Sequence, residues 1–257
     1  MRIVIKVSSQ LVATQVWRYC QIIADAINNG CEIVVVSGGA VKRGMGALQI
    51  TNSSTLDQQA ASGIGQVELM KVWSKSAKKS NLHVAQLQYT HHDLLDSASN
   101  ISAVIQRYFD WGQILPIANG NDVAIDEETR LTSRVSENSA LAQLLANRIN
   151  ADLLVILGLQ KGVYTSDPRL DRHAELIREV TDLSDAFLDQ FSDSTPESGS
   201  FGGIKTNVEN CLIAARAGIK VIVASGRPPS NLGRILNGEE IGTIFRPARQ
   251  IFDPEML

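Results

Sequence analysis

Arg2-Ile3-Val4-Ile5-Lys6-Val7 runs straight into Ser8-Ser9. This apolar, β-branched run, broken by one lysine, is the signature of a short buried strand in a parallel sheet. A lysine near the end of such a strand is costly to bury without an anion beside it. A cation at the carboxyl end of a central strand, followed by a turn of small residues, is where open α/β sheets bind ligands. The alternative reading of Lys6 is a side chain that snorkels at a strand end.

The same pattern recurs along the chain. Thr14–Asn29 has helical spacing through Val16, Ile22, Ile23, Ala26 and Ile27, and Asn28-Asn29-Gly30 stops it. Cys31–Val36 reads as a second strand. It leads into Ser37-Gly38-Gly39-Ala40 and a helix start at Val41. Two glycines between a strand and a helix make either a small anion site of bare N–H groups or a structural left-handed turn. The Gly-x-Gly-x-x-Gly spacing of a dinucleotide fold is absent there.

Asp57–Ala77 is a long helix, with Ile64, Val67, Met70 and Val72 as expected core positions. Gly63 and Gly65 inside it point to close helix packing or to ligand contact. Leu82–Tyr89, Ile114–Ala118, Asp152–Leu157, Glu175–Val180, Lys220–Ala224 and Thr243–Phe245 read as strands. Asn100–Trp111, Ala140–Ala146, Leu183–Gln190, Lys205–Ala217 and Asn231–Leu236 read as helices. Asp193–Gly203 is Ser- and Gly-rich and reads as a loop. This β-α alternation predicts an α/β fold, a three-layer α/β/α sandwich about a mostly parallel sheet, formed by residues 1–257 as one domain.

Polar clusters sit at strand ends. Asn119-Gly120-Asn121-Asp122 follows the fourth strand. There Asp122 either grips an amine or orders the loop through Asx turns. Ser136-Glu137-Asn138-Ser139 precedes an apolar helical run, which is a cap signature and a place to hold a carboxylate. His91 and His92 have no carboxylate or cysteine at ligand spacing, so no metal site is expected.

With 257 residues and a net charge of -3, the composition argues against a dedicated nucleic-acid binder. Three cysteines without metal-ligand spacing fit reduced thiols in the cytoplasm. Met1 opens directly onto a strand and no apolar run reaches membrane length, so neither a leader nor a membrane partner is expected.

Taken together, Ile3–Ser9, Val34–Gly44, Gln58–Met70, Val84–Leu94, Leu115–Asp122, Ala151–Arg169, Gly202–Ala217 and Ile219–Arg227 resemble the amino-acid kinase family, and within it the glutamate 5-kinase branch. The string Lys161-Gly162-Val163-Tyr164-Thr165-Ser166-Asp167-Pro168-Arg169 is the most specific part. Ala224-Ser225-Gly226-Arg227 and Gly242-Thr243-Ile244-Phe245 add to it. The resemblance implies transfer of the γ-phosphoryl of ATP, carried with Mg²⁺, to the γ-carboxylate of glutamate or a related carboxylate. It also implies a homo-oligomer, and a short form without the extra carboxyl-terminal domain many relatives carry. By the same resemblance Lys6 would hold the transferring phosphate. Gly38, Gly39 and Ala40 would lie by the substrate, and Asp122 and Asn138 would fix it. Ser8, Gly158, Leu159, Lys161, Gly202, Gly203, Lys205 and Asn207 would flank the nucleotide.

The departures fall on the chemistry. Ser8 stands where the family has Gly, and Gly38 where it has Ser. Asn-Glu-Asn-Asp becomes Asn119-Gly120-Asn121-Asp122, and Gly-Asp-Asn-Asp becomes Ser136-Glu137-Asn138-Ser139. Gly158-Leu159 replaces Thr-Asp, and Asn207 replaces a lysine, with Lys205 two helical positions away on a different side. Two readings follow. One is a carboxylate kinase, with Lys161 or Lys205 substituting for the lost lysine or with another substrate. The other is an amino-acid-binding or regulatory partner that does not transfer phosphate.

Overall fold

The computed structural model describes residues 1–124, 138–191 and 204–248. Eight strands form one sheet: β1 (Arg2–Val7), β2 (Glu32–Ser37), β3 (His83–Tyr89), β4 (Ile114–Gly120), β5 (Leu153–Gly158), β6 (Glu179–Val180), β7 (Lys220–Ser225) and β8 (Thr243–Phe245). Their spatial order is β3-β4-β2-β1-β5-β7-β8-β6. All neighbours run parallel except β7 and β8. The carboxyl ends of β1, β2, β4, β5 and β7 therefore share one edge. β1 is central, with Lys6 level with Val36 of β2 and Ile156 of β5.

The described helices are α1 (Ser9–Val12), α2 (Val16–Asn28), α3 (Ala40–Ala47), α4 (Thr55–Lys78), α5 (His91–Leu95), α6 (Ile101–Trp111), α7 (Asn138–Arg148), α8 (Asp185–Leu188), α9 (Ile204–Arg216) and α10 (Ser230–Leu236). Strand alternation divides the core in two. Ile3, Ile5 and Val7 join Tyr19 of α2, Leu69 and Trp73 of α4, and Leu232 of α10. Val4 faces the other way, with Ile105 of α6, Leu145 of α7 and Leu212 of α9. Lys6 has the parity of Val4, so its side chain leaves the strand on the face covered by α7 and α9.

Several sequence readings are corrected. Ile64 and Val67 are exposed rather than core. The buried stripe of α4 is instead Ala61, Ser62, Gly65, Gln66, Leu69, Trp73 and Ala77. Met70 and Val72 are partly buried against the core as expected, but aliphatic periodicity misses at Ile64 and Val67 because the first half of the helix packs through its smallest residues. A Cβ built on Gly65 falls 1.8 Å from the Ala40 carbonyl oxygen, and one on Gly44 falls 1.8 Å from that of Ala61. Helices α3 and α4 thus cross with backbone against backbone. The expected strand at Glu175–Val180 shrinks to Glu179–Val180, because Leu176 pairs instead with Tyr164 in an isolated antiparallel bridge. The helix expected over Leu183–Gln190 is one turn, Asp185–Leu188. The loop expected at Asp193–Gly203 lies outside the described residues.

Candidate active site

Four segments meet at the carboxyl edge of the sheet. The first is the end of β1, where Lys6 is half-buried and Ser8 donates its N–H to the Leu157 carbonyl at 3.0 Å. That bond ties the turn after β1 to the end of β5.

The second segment joins β2 to α3. Ser37 is buried and its hydroxyl accepts from the Trp73 indole N–H at 2.9 Å, which fixes the strand end against α4. Gly39 has φ 108°, a left-handed conformation that glycine adopts at no steric cost. A Cβ there would also come within 3.0 Å of the Ser9 Cβ. The two-glycine turn therefore packs on the segment that follows β1, and eight-residue α3 opens from it with Ala40.

The third segment is the start of α7. Asn138 is its first described residue and is half-buried. Its side chain lies over Gly38, where a built Cβ would sit 2.2 Å from Asn138 Nδ2 and 3.3 Å from its Cγ. Gly38 and Asn138 therefore come as a pair: the missing side chain just after β2 makes the space that the amide fills. Gly38→Ala displaces that amide. For the carboxylate that the family resemblance implies as substrate, the expected result is about a tenfold rise in KM with little change in the thermal midpoint, read by steady-state kinetics and thermal unfolding.

The fourth segment is the start of α9. Ser139, fully buried, donates its hydroxyl to Asn207 Oδ1 at 2.7 Å. Two residues singled out separately as departures are thus direct partners. The contact between α7 and α9 is therefore a neutral hydrogen bond, with no charge on either side. A neutral pair here avoids the heavy cost of a buried charge with no counterion. The amino-terminal turns of α3, α7 and α9 all open at this edge, and each brings N–H groups and the positive end of a helix dipole.

Other predicted site residues are placed as follows. Gly158 accepts the Gly226 N–H at 2.9 Å, joining the ends of β5 and β7. Leu159 and Lys161 are exposed just beyond. Lys205 pairs with Asp189 at 3.2 Å, so its ammonium is turned away from the Ser139–Asn207 contact, as its helical position requires. Asp122 is half-buried in the turn after β4, where the Asn121 N–H donates to the Tyr89 carbonyl at 3.0 Å. Gly202 and Gly203 lie outside the described residues. The sequence reading missed Gln66 and Trp73. Gln66 is buried and accepts from Asn119 Nδ2 at 2.8 Å, holding the end of β4 against α4. Nothing in the local spacing marks either residue, since their partners are distant in sequence.

Comparison with known proteins agrees with this architecture. The family model described as "Amino acid kinase family" matches residues 1–225. The chain belongs to the amino acid kinase family. Among curated relatives it is similar to glutamate 5-kinases. One from Acinetobacter baylyi is 33% identical over 95% of this chain and 66% of that protein. One from Prochlorococcus marinus is 34% identical over 89% of this chain and 63% of that protein. One from Pseudomonas entomophila is 37% identical over 86% of this chain and 59% of that protein. The chain thus spans about two thirds or less of each relative's length. Two solved amino acid kinase folds are similar at 16% identity, which speaks to the fold alone. They are a uridylate kinase from Archaeoglobus fulgidus, TM-score 0.64, and an isopentenyl phosphate kinase, TM-score 0.66; each match covers 95% of this chain and all of the other.

Proposed function

We propose that this member of the family transfers the γ-phosphoryl of Mg·ATP to the γ-carboxylate of L-glutamate, and does so slowly. The observation that carries the reading is the meeting of Lys6, the Gly38–Asn138 pair and three helix amino termini at the carboxyl edge of one sheet. The reaction brings two anions together. At 4 Å their repulsion is about 4 kcal/mol at an effective dielectric of about 20. The residues at this edge offset it with one ammonium and with oriented N–H groups. Mg²⁺ arrives with the nucleotide and bridges its phosphates. In our reading Lys6 takes the charge that builds on the transferring group, while Asn138 and Asp122 hold the amino acid. A carboxylate oxygen bonds to the γ-phosphorus, the bond to the β–γ bridging oxygen breaks, and ADP leaves. The product is an acyl phosphate, the first intermediate toward proline. The reading extends to residues 1–257 as one catalytic domain, to the cytoplasm as its compartment and to a homo-oligomer, which light scattering on the purified chain tests.

The slow rate follows from Ser139 and Asn207. Removing one charge that stabilises a transition state costs about 3 kcal/mol, a factor of 10² to 10³. The same neutral contact favours a second reading, an amino-acid-binding partner that keeps the substrate pocket without transfer. Trapping the product with hydroxylamine separates the two. A hydroxamate that needs glutamate, ATP and Mg²⁺ together establishes the kinase. Stabilisation by glutamate in thermal shift, with no hydroxamate and no shift from Mg·ATP, establishes the partner.

A further inference from the structure

Strands β2 and β4 are neighbours, yet the chain enters them from opposite faces of the sheet. Helix α2, in the layer of Tyr19, ends at Asn28 and leads into β2. Helix α6, whose Ile105 lies in the other layer, ends at Trp111 and leads into β4. The two incoming turns part, and a crevice of about 420 Å³ opens between them at the amino edge. That volume is in the range of small-molecule sites. The Gly38 turn and Asp122 follow the opposite ends of the same two strands, roughly 20 Å away for strands of this length.

The apolar lining is Ile27, Ile33, Phe109 and Ile114. The charges beside it are already paired. Arg2 lies 5.4 Å from the centre of the Phe109 ring, and its Nε donates to Glu32 Oε2 at 2.8 Å. Its other two guanidinium nitrogens donate to the Ile149 carbonyl and to Gln106 Oε1. The remaining polar side chains are amides. Gln113 Nε2 donates to Asn28 Oδ1 at 2.8 Å, and both residues line the crevice. That bond leaves Asn28 Nδ2 as a donor and Gln113 Oε1 as an acceptor, side by side.

We propose that this crevice binds an adenine-type base, neutral and without phosphate, at a site separate from the candidate active site. Such a base carries an exocyclic N–H beside a ring-nitrogen acceptor, the complement of Gln113 Oε1 and Asn28 Nδ2. Its ring covers the isoleucines and Phe109. A phosphate meets the Glu32 carboxylate, an Arg2 with every nitrogen in use, and the carbonyl ends of α2 and α6, all of which disfavour an anion. An organic cation finds Glu32 already paired. The proposal does not depend on the kinase reading.

The test is calorimetric titration of the purified chain with adenine, adenosine and AMP, with excess Mg·AMP-PNP present to block the carboxyl edge. Wild type is compared with Asn28→Asp and Cys31→Phe. Asn28→Asp keeps the oxygen that Gln113 uses and removes the donor. Cys31, which also lines the crevice, becomes a ring that fills it. Adenine is expected to bind wild type at one site, and AMP to bind about tenfold more weakly than adenosine. Asn28→Asp weakens adenine about tenfold at an unchanged thermal midpoint, and Cys31→Phe abolishes binding. No binding of adenine by wild type overturns the proposal. So does equal affinity in wild type and Asn28→Asp, and so does AMP binding more tightly than adenosine.

Discussion

Gly65→Ala is expected to lower the unfolding free energy by about 3 kcal/mol, near the upper end of overpacking costs. The new methyl would sit 1.8 Å from the Ala40 carbonyl oxygen and 2.5 Å from the Gly44 nitrogen. Both are backbone atoms, so no rotamer change relieves the clash and α3 must move away from α4. Gly46→Ala, in the same short helix, meets nothing within 4 Å. It is expected to stabilise by about 0.5 kcal/mol through helix propensity. Urea denaturation of the pair separates a crossing clash from a general intolerance of change in α3. The displacement also reaches function in our reading. Ala40 begins the helix that opens from the Gly38–Gly39 turn, so Gly65→Ala should raise the KM for the carboxylate more than that for the nucleotide.

The second large effect is a gain. In the proposed kinase, Ser139→Asp combined with Asn207→Lys should raise the rate of phosphoryl transfer about a hundredfold, while neither single change does. The two side chains touch at 2.7 Å, and Ser139 is fully buried. A carboxylate or an ammonium placed there alone is desolvated without a partner, and the chain loses about 3–5 kcal/mol. Placed together they pair, and the ammonium restores a cation near the transferring phosphoryl. A double-mutant cycle in both urea stability and hydroxamate rate reads the coupling. Additive single effects would mean that the two positions act independently and that the neutral contact does not set the rate.

Much of the layout could be read before any coordinates. The run Ile3–Val7 with Lys6 predicts a central parallel strand, and β1 lies between β2 and β5. Strand and helix positions follow closely wherever an apolar run is bounded by glycine or asparagine. Gly218, for instance, ends α9 with φ 88°. The reading failed where packing depends on what is missing. The buried face of α4 is built on Ala61 and Gly65, and a period counted on large aliphatic residues slides past them to Ile64 and Val67. The site was legible as a set of strand-end clusters but not as a set of contacts. Ser139 and Asn207 are 68 positions apart, and only the shared crossing of α7 and α9 brings them together. The Asn138 amide over Gly38 is equally invisible, because a glycine in a turn says nothing about whose side chain uses its space. The charged stretch Asp126–Arg130, which from its sequence reads as a solvated loop or hairpin, lies outside the described residues.

The whole account depends on one ammonium at the tip of β1. Its most direct test is transfer from ATP labelled at the γ-phosphate, with glutamate and Mg²⁺, by the wild-type chain and by Lys6→Ala. The account predicts labelled acyl phosphate from wild type, and at least a hundredfold less from Lys6→Ala at unchanged thermal stability. Equal labelling by both proteins would contradict it, and so would none from either.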